Sequence, residues 1–137
     1  MVDLSKELHA SCLLCGAANP YGWKLTFQED VNYTYAIFCP ESHLNGYPGV
    51  LHGGVVAAVL DEAMVQCLLR RSIVAMTADL QVRYEHPTPI GHSLRVQARL
   101  LRRRHALYDM EAQLLDGETV CARANARFFR QMVVSAD

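Results

Sequence analysis

From Met76 to Glu85 apolar and polar residues alternate without interruption. Met76, Ala78, Leu80, Val82 and Tyr84 share one parity, and Thr77, Asp79, Gln81, Arg83 and Glu85 share the other. A period of two marks a half-buried strand. The pattern returns in SLRVQARLL, with Arg95, Gln97 and Arg99 opposite Leu94, Val96, Ala98 and Leu100. HALYDMEAQLL and TVCARANARFF follow as two further strands, separated by the turn Asp116-Gly117. Upstream, Trp23 to Gln28 and Tyr33 to Phe38 are β-branched and aromatic and flank EDVN, which predicts a hairpin. Between the two groups the period changes. From Gly53 to about Arg70 there is no Gly or Pro after Gly54, and Ala, Leu, Val and Met dominate. That run is too long for a buried strand, so it predicts a helix. PESHLNGYPG before it is a loop by its Pro, Asn and Gly content, and residues 3–10 can form a short helix. The expected order is β-β-α-β-β-β-β. This is an α+β chain in which a mostly antiparallel sheet covers one apolar helix.

On that helix Glu62, Gln66 and Arg70 are spaced by four and predict a solvent-facing stripe. Asp61 lies off it. Its neighbours three and four positions away are Ala57, Ala58, Met64 and Val65, all apolar. Asp61 therefore borders the buried side, where a carboxylate is costly and its pKa should rise. The plainer alternative is that one 100° step from Glu62 still lets it reach water. His52-Gly53-Gly54 at the helix start weighs against the plainer alternative. Its N–H groups lack intrahelical partners and carry the positive end of the helix dipole. Glycines let a reacting carbonyl approach the backbone. Polarising N–H groups with a carboxylate two turns further along suit acyl-transfer hydrolysis.

Composition narrows the field. The chain has 137 residues, enough for one domain spanning 1–137, with residues 1–22 as a short lead-in. Half of it (51%) is apolar, so a core is affordable, and 13 basic against 14 acidic residues leave no footprint for nucleic acid. No stretch resembles a signal peptide and none is apolar for long enough to cross a bilayer, so a cytoplasmic protein with no membrane partner is expected. Five cysteines in such a chain make a disulfide framework unexpected. Cys12 and Cys15 form a C-x-x-C, for which Cys39 and His43 are conceivable zinc partners. The alternative is a tight turn, CLLCGAANPYG, leading into the first strand. No metal is assigned. The six histidines form no H-E-x-x-H, and neither G-x-S-x-G nor a nucleotide-binding glycine motif occurs.

HGGVVAAVLDEA, with its Asp nine residues after the His, then TADLQVRYEHPTPIG with its strand and P-x-P-x-G, resemble the hotdog-fold acyl-CoA thioesterases of the phenylacetate-degradation type. The resemblance runs from about Cys12 to Phe129, and CLLCGAANPYGWKL is similar to the lead-in of some members. It implies a hotdog fold, with one long central helix wrapped by a curved antiparallel sheet. It also implies a homodimer or dimer of dimers with active sites at the subunit interface. Asp61 then matches the catalytic base or nucleophile, and Thr77 the hydroxyl that positions water. Gly53 matches the N–H that polarises the thioester carbonyl, with His52 supporting the loop. His52 and Gly53 of one subunit would face Asp61 and Thr77 of the other. Asn45, Gly54, Ala78 and Asp79 are the matching substrate-binding positions. Many relatives carry Asn or Gln six residues before the His. Gly46 stands there in this chain, with Asn45 one step earlier and His43 as a further loop candidate.

The expected activity is hydrolysis of an acyl-CoA with no cofactor beyond the coenzyme A of the substrate. A hotdog hydratase or dehydratase, pairing His52 with Asp61, and a non-catalytic acyl-CoA-binding protein are the alternatives. Arg95, Arg99, Arg123, Arg127 and the run 102–104 are either a rim for the nucleotide phosphates or a solvated sheet face.

Overall fold

In the computed structural model, residues 2–131 are described. A short helix α1 (Ser5–Leu8) precedes strands β1 (Gln28–Glu29) and β2 (Thr34–Phe38). A single 3-10 turn (Ser42–Leu44) leads to the long helix α2 (Gly53–Leu69). Four long strands follow: β3 (Ala75–Tyr84), β4 (Leu94–Arg104), β5 (Leu107–Asp116) and β6 (Thr119–Arg130). All six strands form one antiparallel sheet in the order β1-β2-β4-β5-β6-β3. The expected element order holds, and with it the hotdog arrangement of one helix against one sheet. No helix among the described residues is long and apolar enough to cross a membrane.

Helix and sheet fit because of what the inner strand positions carry. Ala98, Ala112 and Ala124 lie side by side across β4, β5 and β6, each buried. This low strip is flanked by Val96, Met110, Leu114 and Phe128, all nearly inaccessible. Val56, Val59, Leu60, Met64 and Leu68 of α2 pack into the same cluster. Burying each such side chain contributes about 1.5–3 kcal/mol. The helix starts at His52, whose Nδ1 accepts from the Gly54 N–H. It ends where Ser72 turns left-handed (φ 61°) and the Ile73 N–H reaches back to the Leu68 carbonyl. At the β5–β6 hairpin Gly117 takes φ 59°, a turn conformation that fits glycine.

Two expectations need correction. The first predicted strand, Trp23 to Gln28, is reduced to Gln28–Glu29. Its N–H groups are claimed instead by the lead-in, because Trp23 donates to the Leu13 carbonyl and Leu25 to that of Leu14. Lys24 between them is left-handed. The second is the stripe Glu62, Gln66, Arg70, which does not face solvent. Glu62 and Gln66 are 5% and 3% exposed. Spacing by four correctly groups them on one side of the helix. The segment around Cys12–Cys15 covers that side, so α2 is buried against the sheet on one flank and the lead-in on the other.

Candidate active site

Asp61 projects from the middle of α2 toward the start of β3, where Thr77 Oγ1 donates to its Oδ1 at 2.6 Å. Strict alternation would put Thr77 on the same face as Asp79. The strand does not alternate strictly: Thr77 pairs with Phe128 and Asp79 with Arg127, so Ala78 is an extra residue in a β-bulge. Phe128 is completely buried on the helix side. The bulge thus turns Thr77 toward the helix and Asp79 to the outer face, and afterwards Leu80 and Val82 return inward. Asp61 itself is half-buried. Burial pushes its pKa up, the Thr77 hydroxyl pulls it down, and the neighbouring Glu62 charge pushes it up again. The net direction is upward.

The second half of the site is the start of α2. The Gly54 N–H is taken by His52 Nδ1 at 2.9 Å, and those of Val55 and Val56 by the His52 carbonyl. No described residue accepts from the Gly53 N–H. Tyr84 closes the other side of Gly53, its Oη donating to the Gly53 carbonyl at 2.7 Å. Sequence reasoning missed this role, although the alternation placed Tyr84 on the helix-facing parity. A cleft of about 750 Å³ opens here, lined among others by Asn45, His52, Gly53, Tyr84 and His86. Asn45 Oδ1 is buried in its wall without a partner among the described residues. Gly46 lets the loop pass close to His52, since a Cβ there would lie 3.3 Å from the His52 Cα.

The two halves do not meet within one chain. Gly53 and Asp61 are eight residues apart on the same helix, about 12 Å along its axis. A reacting carbonyl needs both within about 3 Å. Within one chain His52 Nδ1 accepts from the Gly54 N–H and does not pair with Asp61. The structure thus brings together Asp61 with Thr77, and His52, Gly53, Gly54 with Asn45. Ala78 and Asp79 stand apart from both, exposed along β3. His43 is a solvated loop residue beside Glu41.

The arginines resolve toward the plainer reading. Arg95 bonds Asp30, Arg99 bonds Glu111, and Arg123 bonds Glu85. Arg102, Arg104 and Arg127 converge on Asp109. Each of these is matched by a carboxylate, whereas Arg103 lies over the Tyr108 ring. The cysteine pair has different neighbours from those expected. His9, Cys12, Cys15 and Glu62 bring one ligand atom each to within 4.8 Å of one another, and Cys39 and His43 are not among them.

The family model described as thioesterase superfamily matches residues 48–123. Acyl-coenzyme A thioesterase THEM4 of Mus musculus is 29% identical over 119 residues, covering 77% of this chain and 51% of that protein. The chain thus spans about half the length of the curated relatives it matches. Among solved structures, a hypothetical thioesterase from Streptococcus pneumoniae TIGR4 with coenzyme A superposes with a TM-score of 0.74. It is 12% identical and covers 81% of this chain and 91% of that one. The PaaI protein from the E. coli phenylacetic acid degradation operon gives 0.72 at 12% identity, covering 77% and 82%. At that identity these structures speak for the fold.

Proposed function

This chain belongs to the thioesterase superfamily, and from that premise we propose that it hydrolyses an acyl-CoA thioester to the free acid and coenzyme A. The observation that carries this reading is the Thr77–Asp61 hydrogen bond on a helix whose first N–H, that of Gly53, is left unclaimed. The thioester oxygen would accept from Gly53 at the positive helix end, so that charge developing on it is stabilised. Asp61, ionised and held by Thr77, would attack the carbonyl or take a proton from the attacking water. Half-burial raises its basicity, which suits either role. The departing thiol has a pKa near 8.5 and needs no strong acid to leave.

Because one chain cannot place Gly53 and Asp61 on one carbonyl, the reading requires two. Strand β3 ends the sheet, with its outer edge unpaired among the described residues and Met76 and Tyr84 about half exposed (56% and 55%). A second copy added along that edge would continue the sheet and bring its own Gly53 toward Asp61. Asn45, with its unpartnered amide oxygen in the cleft, is the residue proposed to hold the acyl-CoA where Gly46 cannot.

The test is thiol release from short, long and aromatic acyl-CoAs by wild type and Asp61→Asn. Turnover that falls at least about a hundredfold in the variant supports the reading. A folded, dimeric protein that binds acyl-CoA without turnover would replace it with the non-catalytic binding protein.

A further inference from the structure

We propose that His9, Cys12, Cys15 and Glu62 form a structural zinc site that staples the N-terminal lead-in to the middle of α2, one residue from Asp61. The lead-in gathers three of the ligands in seven residues, H-x-x-C-x-x-C, and the helix supplies the fourth. His9 Nδ1 is 3.4 Å from Glu62 Oε2, and Cys12 Sγ is 3.1 Å from Oε1 of the same carboxylate. Cys15 Sγ is 3.5 Å from both Glu62 Oε2 and His9 Nδ1. Tetrahedral zinc with bonds of about 2.3 Å to sulfur and about 2.0–2.1 Å to nitrogen or oxygen has ligand–ligand edges of roughly 3.3–3.8 Å. The observed separations lie at or just below those edges, so the ligands need little movement to enclose an ion.

The surroundings have the form of a metal knuckle. Gly16 follows the second cysteine directly, and a Cβ there would sit 2.3 Å from the Cys12 nitrogen and 2.5 Å from the Ala10 carbonyl oxygen. Only glycine allows so tight a turn. Each sulfur receives a donor: the Leu14 N–H points at Cys12 Sγ (3.4 Å) and Gln66 Nε2 at Cys15 Sγ (3.1 Å). Such donors stabilise thiolates around a metal. A cavity of about 390 Å³ lined by His9, Cys15 and Gln66 leads to the cluster from outside.

Glu62 brings a buried carboxylate to the cluster. It is 5% exposed, mid-helix, and its only ion-pair partner among the described residues is His9. A divalent ion at the centre of the cluster would favour two thiolates and a carboxylate together. Two soft sulfurs and an imidazole select zinc over magnesium or calcium. With all four positions filled by protein, the site is closed and structural, not catalytic. Sequence spacing pointed to Cys39 and His43 because Glu62, 47 residues beyond Cys15, carries no local signal.

The experiment uses the full chain purified under reducing conditions without chelator. Elemental analysis should give about one zinc per chain. Cobalt exchanged into the site should show sulfur-to-metal charge transfer and the intense visible bands of a tetrahedral ion. Cys12→Ser and Cys15→Ser should each lose the cobalt thiolate signature, while Cys39→Ser keeps it. Strong chelation of wild type should lower its melting temperature, and zinc should restore it. The proposal is overturned if the reduced wild type neither carries nor takes up zinc. It is equally overturned if the cobalt spectrum lacks thiolate bands, or if Cys39→Ser rather than the lead-in variants abolishes it. Should the serine variants fail to fold, the wild-type spectrum and chelation alone decide. None of these readouts depends on thioester hydrolysis.

Discussion

Gly53→Pro would delete one hydrogen-bond donor while leaving the helix in place, and so isolates the part assigned to the Gly53 N–H. Gly53 is the first residue of α2, where proline is well tolerated because that N–H has no intrahelical acceptor. His52 before it has φ −56° and ψ 133°, the extended conformation that a following proline demands. A Cβ at position 53 meets nothing closer than the Tyr84 ring at 3.7 Å, an ordinary contact. The fold should therefore survive. Removing a single oxyanion donor costs about 100- to 1,000-fold in kcat, or about 2.7–4 kcal/mol. Gly53→Ala is the control, because it adds the same Cβ but keeps the N–H and should remain within about tenfold of wild type. Thiol release from the best acyl-CoA substrate, with circular dichroism to verify folding, measures both. If Gly53→Pro turns over within threefold of wild type (~3, against the losses above), the N–H does not polarise the carbonyl. The argument then extends to the second chain. Gly53→Pro and Asp61→Asn are each inactive in this scheme, but a mixed dimer retains one site with both intact groups. Mixing and re-equilibrating the two should recover activity, and a chain that works alone would recover none.

Two further changes probe the carboxylate. Thr77→Ala and Thr77→Val remove a bond to a charged group worth about 1.5–3 kcal/mol, or about 10- to 150-fold in kcat/KM. They also move the acid limb of the pH profile upward, since the hydroxyl is what holds the Asp61 pKa down. Thr77→Ser should keep rate and limb, and an unmoved limb in Thr77→Ala would contradict the assignment. Asp61→Asn should abolish turnover yet raise folding stability at pH 7–8, by at most about 1 kcal/mol given its partial exposure, and with it the melting temperature. The sign follows from the raised pKa. Ionising Asp61 costs folded-state stability once the pH exceeds its folded value, and that cost vanishes below the ordinary carboxylate range. The gain should therefore disappear on acidification, which thermal melts at pH 7.5 and 3 would detect.

The long strands and the central helix were legible because each depends on a local period. Alternation over β3 to β6 and the mostly apolar α2 run, free of Gly and Pro after Gly54, need nothing from elsewhere in the chain to be decoded. What escaped depends on contacts distant in sequence. Residues 23–27 have strand-like side chains, but their N–H groups bond to Leu13 and Leu14, and no local propensity encodes that competitor. The bulge at Ala78 is likewise invisible to a two-residue period, although it decides which way Thr77 points. Alternation put Thr77 on the polar parity, whereas the bulge turns its hydroxyl to Asp61.

Asp61 and Glu62 show why a helical stripe cannot be classified by its own sequence. The two carboxylates are adjacent, and the spacing of Glu62 with Gln66 and Arg70 made Glu62 the natural solvent-facing member. The reverse occurs because the chain covers its own helix there. Glu62 receives bonds from His9, Cys12 and Gln66 that outweigh burial and keep its pKa below the ordinary range. Among the described residues Asp61 receives only the Thr77 hydroxyl, and its pKa lies above that range. One residue is satisfied and structural. The other is left under-satisfied at an open edge, where the proposed reaction would use it. A site that must change its bonding during a reaction cannot also be the one that fastens the lead-in to the helix. In the proposed scheme the two tasks fall on consecutive residues, 100° apart around one rigid helix, so that Asp61 can react while Glu62 holds the lead-in.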